Sequence, residues 1–174
     1  IHAPASTKNR AGQRDPEMSQ TRKGRQWYFG MKAHIGVDLA SGLVHTVVGT
    51  TAKAADITQL PALLHGHEQV VLGDGGYHRT DRTLDAPPPR SGPRIVTPFR
   101  RSAQRPRTAD EARWNRELAA LRAKVEHPFR VLKRQFGFTR VRYRGLAKNT
   151  ARLHVLFALA NLYLARHRLL AAPG

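Results

Sequence analysis

Three groups of residues in this chain have types and spacings that can do chemistry. Asp74 stands in Gly73-Asp74-Gly75-Gly76, directly after the apolar run Val70-Val71-Leu72. In α/β sheets ligands gather at the carboxyl ends of strands, and flanking glycines let a cation or phosphate approach the backbone. The same four residues also make an ordinary tight turn, and the run alone does not choose between the two. Glu126 lies four residues after Arg122 and seven before Lys133, in a stretch of helical periodicity. That spacing can hold a metal-binding carboxylate next to cations that touch the phosphate of a strand being cut. It equally describes a solvated helix face with an i,i+4 ion pair. The third group is the stretch 130–148, where Arg130, Lys133, Arg134, Arg140, Arg142, Arg144 and Lys148 occur without one acid, and Phe136, Phe138 and Tyr143 interleave. Basic side chains follow a phosphate backbone while aromatic faces stack on unpaired bases. The charges suit that use; Phe136 and Phe138 suit a core. The nine histidines contain no H-E-x-x-H and no i,i+4 pair fit for zinc. His34 and His154 read as structural. No Walker-type phosphate loop occurs, which argues against an NTPase.

The elements that must position these groups are legible from periodicity. Over 27–37, Trp27, Phe29, Met31, Ala33, Ile35 and Val37 share one face, and period two over that length predicts a strand. The turn 38–42 then leads into a partner strand over 43–50, forming an antiparallel hairpin. Residues 54–65 read as a helix with Asp56 as N-cap, and Pro61 delays or kinks it. Val70–Leu72 reads as a central strand covered on both faces. A polar connection over 78–93 ends in Pro87-Pro88-Pro89, and 94–99 reads as a further strand or an edge strand, because Pro98 cannot donate to a ladder. After a basic loop at 100–109, Trp114, Leu118, Leu121, Val125, Phe129 and Leu132 recur at helical steps, with Pro128 expected to bend the helix. A last helix is predicted from about 149 to 170. Strands alternating with helices, plus a hairpin, predict an α/β fold with a mixed sheet.

Composition bounds the partners. The 174 residues suit one domain with a real core, 40% of them apolar. Thirty Lys and Arg against twelve acids leave a net charge of +18, which selects a polyanion whose counterions are released on binding, nucleic acid before a membrane surface. The absence of cysteine excludes disulfides and Cys-based zinc sites. No signal peptide is visible, and the chain opens at Ile1 without an initiator Met, as a fragment would. The apolar stretch 153–165, interrupted by His154 and Asn161, is too short to span a bilayer and reads as a buried helix.

Taken together, several runs resemble the DDE transposases of insertion sequences, which share an RNase H-like core. They are STKN at 6–9, WYFGMKAHIGVD at 27–38, GDGGY at 73–77, RAKVEHPFRVLKRQFGF at 122–138 and VRYRGLAKNT at 141–150. Each is weak alone; their order and combination are specific, and they cover nearly the whole chain. The resemblance implies an α/β, RNase H-like mixed sheet flanked by helices and lacking the first core strand, with residues 1–26 a basic extended lead-in and 27–174 the partial catalytic core. It makes Asp74 the second catalytic aspartate and Glu126 the catalytic glutamate, both as metal ligands. Arg122 and Lys133 become supporting or phosphate-binding groups. A tyrosine the family places three positions before that arginine is Ala119 here. The family's first aspartate precedes the residues that resemble Ile1-His2-Ala3-Pro4; Asp15, Asp38 and Asp56 are conceivable substitutes that no spacing recommends.

The implied chemistry is phosphoryl transfer on DNA assisted by Mg²⁺ or Mn²⁺. Arg130, Arg134, Arg140, Arg142, Arg144 and Lys148 would bind DNA at element ends and target. The setting would be the cytoplasm, at the nucleoid and without a membrane, and the resemblance leaves a homo-oligomer open. A chain with only two of the three carboxylates is expected to bind DNA without cutting it efficiently. Two other readings stand beside this one: a metal-dependent nuclease of RNase H-like fold, and a non-catalytic basic protein that binds DNA or RNA.

Overall fold

The structure, a computed structural model, describes residues 1–74, 77, 92–99 and 106–171. The connection expected at 78–93 and the basic loop at 100–109 lie largely outside the described residues. The first sheet contains β1 (Ser19–Lys23), β2 (Gln26–Val37) and β3 (Val44–Thr51), antiparallel in the order β1-β2-β3. The alternating run predicted at 27–37 is β2, and its hairpin partner is β3. Their register runs from Met31 opposite Thr51 to Val37 opposite Val44, with an irregularity between Gly36 and Val37. The Asp38 carboxylate closes the turn by accepting from the Ser41 amide and hydroxyl, both at 2.6 Å.

Residues 1–26 carry two features that their pattern does not announce. The strand β1 pairs with residues 26–30 of β2, although its sequence Ser-Gln-Thr-Arg-Lys has no apolar alternation. Residues 1–3 lie along the other edge of β2: the Met31 amide donates to Ile1 O at 3.1 Å and the Ala3 amide to Phe29 O at 2.8 Å. Val141 in turn donates to His2 O at 3.0 Å, so this short segment joins β2 to the chain beyond the long helix.

The segment predicted as a helix over 54–65 is a 3-10 turn, Asp56–Gln59, followed by the one-turn α1 (Leu60–Leu63), with Pro61 in its first turn. Ala55, not Asp56, occupies the N-cap position; the Asp56 carboxylate reaches Lys32 Nζ at 3.2 Å instead. Strands β4 (Val70–Leu72) and β5 (Arg94–Val96) pair in parallel as a separate two-stranded sheet. The protein is α/β with antiparallel and parallel pairing, as expected, but the mixed sheet is split: among the described residues no strand bridges β2 and β4. Val71 and Leu72 are only half-buried, so among the described residues β4 is not the doubly covered central strand expected. Val70 is 54% exposed.

Helix α2 (Ala109–Arg134) opens with a capping box, in which Thr108 accepts from the Glu111 amide and Glu111 accepts from the Thr108 amide. These bonds satisfy amides that the first turn leaves open. Leu118 and Leu132 are buried as the periodicity predicts, whereas Leu121 is 41% exposed. Helix α3 (Leu146–Leu170) buries Leu153, Leu156, Phe157 and Ala160. The expectation of a buried helix holds for that face alone: Val155, Leu159 and Leu162 on the other side are exposed, and so is His154. Contact with one sheet hides only one stripe of a helix.

Both long helices pack on the face of the first sheet that carries Met31, Ala33 and Ile35, where Phe129, Val131, Leu132, Leu153 and Phe157 complete the core. Gly49 in β3 permits this approach: a side chain there would collide with the Thr150 hydroxyl and come within 3.1 Å of Met31 Cε. Asn161 locks the contact by bracketing Val44, accepting from its amide at 2.9 Å and donating to its carbonyl at 2.7 Å. Among the described residues no helix is long and apolar enough to cross a membrane.

Candidate carboxylate site and nucleic-acid interface

Asp74 leaves the end of β4 half-buried. The pairing with β5 continues to the residue before it, since the Gly73 amide donates to Val96 O at 2.9 Å. The turn is closed by the Tyr77 amide donating to Asp74 O at 3.1 Å, and Gly73 lies against the Tyr77 ring. Burial pushes the Tyr77 hydroxyl above its ordinary value, and the carboxylates of Asp56 and Asp74 push it further in the same direction. Asp56 is in turn held by Lys32 and sits 3.5 Å from Nδ1 of buried His34.

Glu126 is exposed on α2, with Arg122 half-buried and Lys133 exposed on the same helix. The i,i+4 ion pair that the spacing allows is absent from the ion pairs of the described residues. One turn of α2 near Glu126 is anchored to the hairpin, because Lys124 Nζ donates to Leu39 O at 2.6 Å.

The conceivable substitutes for a further carboxylate divide by what they already hold. Asp15 is 2% exposed and accepts from the Gly145 amide at 2.6 Å and the Glu17 amide at 3.0 Å. Asp38 serves its turn, and its hydrogen bonds to Ser41 hold its carboxyl below the usual range. Both are backbone-binding groups. Asp56 is ion-paired with Lys32 and lies 3.5 Å from His34 Nδ1.

The basic residues are brought together in part. Arg140, Arg142 and Arg144 line a cleft of about 410 Å³ with Ser6, Thr7 and Lys8. Two runs far apart in sequence, 6–9 and 141–150, thereby form one surface. Tyr143, 44% exposed, borders the cleft, and the Arg152 guanidinium lies 5.7 Å from its ring centre. Arg144 also ties the structure together. Its guanidinium donates to the carbonyls of Thr7 (3.4 Å), Gln13 (3.2 Å) and Arg14 (3.2 Å), pinning the amino-terminal segment. Arg130, Lys133 and Arg134 at the end of α2, and Lys148 in the first turn of α3, are exposed and do not line the cleft. Phe138 is buried and Phe136 packs edge-on to Tyr163, so both belong to the core as expected.

Two groupings in space are not evident from sequence patterns. Lys8 stands out in the sequence only as part of a basic lead-in, although its place in the 6–9 run is a usable signal. The histidines have no local spacing that suits a metal, yet ligand atoms of His45, His65 and Glu68 lie within 4.8 Å of one another. The run His65-Gly66-His67-Glu68 is the available signal there.

No solved structure matches the chain. A family model described as a transposase DDE domain matches residues 6–162, a span that contains Asp74, Glu126 and both walls of the basic cleft. The chain belongs to the transposase DDE domain family.

Proposed function

We propose that this chain is a DNA-binding part of a transposase that contributes Asp74 and Glu126 to a metal-dependent site for DNA strand cleavage and transfer. Family membership implies a transposition-related function, a DNA substrate and dependence on a divalent metal. The observation that carries the finer reading is the acid-free cleft in which Lys8, Arg140, Arg142 and Arg144 meet. In a protein of net charge +18 these groups suit a phosphate backbone, and exposed Tyr143 offers a ring face to a base. Because phosphate contacts carry little sequence information, the cleft alone discriminates poorly among sequences.

Asp74 and Glu126 present hard carboxylate oxygens, the donor type that Mg²⁺ and Mn²⁺ prefer. When bound, such ions supply Lewis-acid activation of an attacking oxygen and charge stabilisation at a leaving one. Asp74 is positioned by the β4 end and the Tyr77 turn, Glu126 by the anchored middle of α2. Arg122 and Lys133 flank Glu126 and neutralise phosphate charge nearby. Arg130, Arg134 and Lys148 extend the basic surface beyond the cleft. Asp15 is buried under the Gly145 turn and Asp38 closes the β2–β3 turn, and neither is assigned as a third ligand. Asp56 is held by Lys32, and with Asp74 and Glu126 as the two assigned carboxylates the protein binds DNA and cuts it poorly. Its working place is DNA in the cytoplasm, at the nucleoid.

The test combines a binding titration at two salt concentrations with a Mg²⁺-dependent cleavage assay. Four phosphate contacts weaken binding on the order of a hundredfold between roughly 50 and 200 mM salt. Salt-insensitive binding contradicts the electrostatic reading. Robust cleavage lost in Asp74→Ala would show that another carboxylate completes the site, overturning the claim of poor cutting. Cleavage indifferent to both Asp74→Ala and Glu126→Ala would remove the site assignment.

A further inference from the structure

On the sheet face opposite α2 and α3, three ligating side chains from two segments meet. His45 comes from β3. His65 and Glu68 come from the connection between α1 and β4, where Gly66 adopts φ +93°, a left-handed conformation that permits the sharp reversal. Glu68 folds back over this turn and accepts from the amides of His65 at 2.7 Å and Gly66 at 2.9 Å. Those bonds fix its carboxylate, which is 13% exposed, with Oε1 3.4 Å from His65 Nε2. Across from it, the His45 ring meets the His65 ring edge to face, with centres 4.9 Å apart and planes at 71°.

The sheet is shaped to admit this arrangement. His45 lies over Gly36, where an added Cβ would stand 2.8 Å from His45 Nε2 and 3.0 Å from Leu63 O. The register irregularity at Gly36/Val37 falls beside it. The Thr46 hydroxyl, 2.9 Å from His45 Nδ1, orients the ring and leaves Nε2 to act as ligand.

We propose that His45, His65 and Glu68 form a transition-metal site, suited to Zn²⁺, that ties β3 to the α1–β4 connection. Two imidazoles and a carboxylate are a zinc donor set, with a fourth position left for water or another ligand. They are a poor set for Mg²⁺, which prefers oxygen ligands alone. One ligand atom from each residue already lies within 4.8 Å of the others, and rotation of the exposed imidazoles is enough to close them to the roughly 3.3 Å ligand spacing of a zinc tetrahedron. The His67 ring centre is 5.8 Å from that of His65, close enough to supply the fourth ligand. The site shares no residue with Asp74 or Glu126, so it stands whether or not those carboxylates are catalytic.

The experiment uses tag-free, chelator-treated protein titrated with Co²⁺ and then Zn²⁺. One equivalent of Co²⁺ should give the visible absorption of a four-coordinate site, and Zn²⁺ should displace it. Zn²⁺ at about a hundred times its Kd should raise the Tm by roughly 5–10 °C. His45→Asn and His65→Asn, at exposed positions, should each weaken binding at least about tenfold while leaving the circular dichroism spectrum intact. Glu68→Gln should do the same, although it also disturbs the loop. The Asp74→Ala, Glu126→Ala double variant should bind Zn²⁺ normally. Absence of stoichiometric Co²⁺ absorption would overturn the proposal, as would binding retained in both histidine variants or lost only in the carboxylate double variant.

Discussion

Single residues here act mainly through what they hold. Asn149 is fully buried, and its amide donates to the carbonyls of Tyr143 and Gly145, both at 2.7 Å, fixing the entry to α3 beside the basic cleft. His34, buried under the hairpin, makes a 2.8 Å contact from Nε2 to the Thr50 hydroxyl. Burial holds its pKa below the ordinary 6.5, with Lys32 acting in the same direction and Asp56 opposing. Linkage sets the sign of the consequence. A group with a depressed folded pKa contributes stability that is fully present above its unfolded value and lost as pH falls through the folded one. Stability should therefore decline on acidification below about 6.5, by at most ~1.4 kcal/mol per pH unit from this group. A ring-proton NMR titration with a His34 midpoint at or above about 6.5 would contradict the assignment. His34 is legible in the sequence as structural because it lies within an alternating strand. Which acid faces it is not legible there, since Asp56 comes from a different element.

At the scale of elements, periodicity locates β2, β3, α2 and α3 because each is long enough to repeat its pattern several times. It misses β1, whose five polar residues owe their extended form to pairing with β2 rather than to their own pattern. It misjudges β4, because a three-residue apolar run carries no information about what covers it. The start of α2 falls within a residue or so of its expected place, and the cap explains it. Thr108→Ala removes the acceptor for the Glu111 amide and should cost about 1 kcal/mol in urea unfolding. Glu111→Gln should cost less, because a glutamine oxygen can still accept from the Thr108 amide. Equal losses in the two variants would show that the box is not what fixes this end.

For the whole molecule, the positive charge has a geometry that its total does not reveal. Helix α2 ends in a basic turn, Lys148 stands in the first turn of α3, and residues 140–144 of the cleft belong to the chain that joins the two helices. Arg140→Ala with Arg142→Ala should make the salt dependence of DNA binding shallower by about two in the log–log slope, with thermal stability nearly unchanged. Arg144→Ala should differ by also lowering stability, because three backbone carbonyls of the amino-terminal segment lose a donor. If all three arginines behave alike in both measurements, the division between phosphate contact and structural tie is wrong.

What the sequence determined by itself were the properties that need no partner in space. The excess of cations, the alternation of β2, the helical repeats of α2 and α3 and the order of the family's motif runs all reside in the chain's one-dimensional pattern. Tertiary structure alone decided which distant residues share a surface. It joined Lys8 to Arg140 and Arg142, and it set His45 against His65 and Glu68 across a glycine that makes room for the ring. It also distinguished carboxylates that look alike in sequence: Asp15 and Asp38 accept from backbone amides, Asp56 pairs with Lys32, and Asp74 stands at the end of β4. The physical reason is common to all of these. Electrostatic and ligating interactions depend on distances of a few ångströms, and between residues tens of positions apart only the packed fold sets those distances.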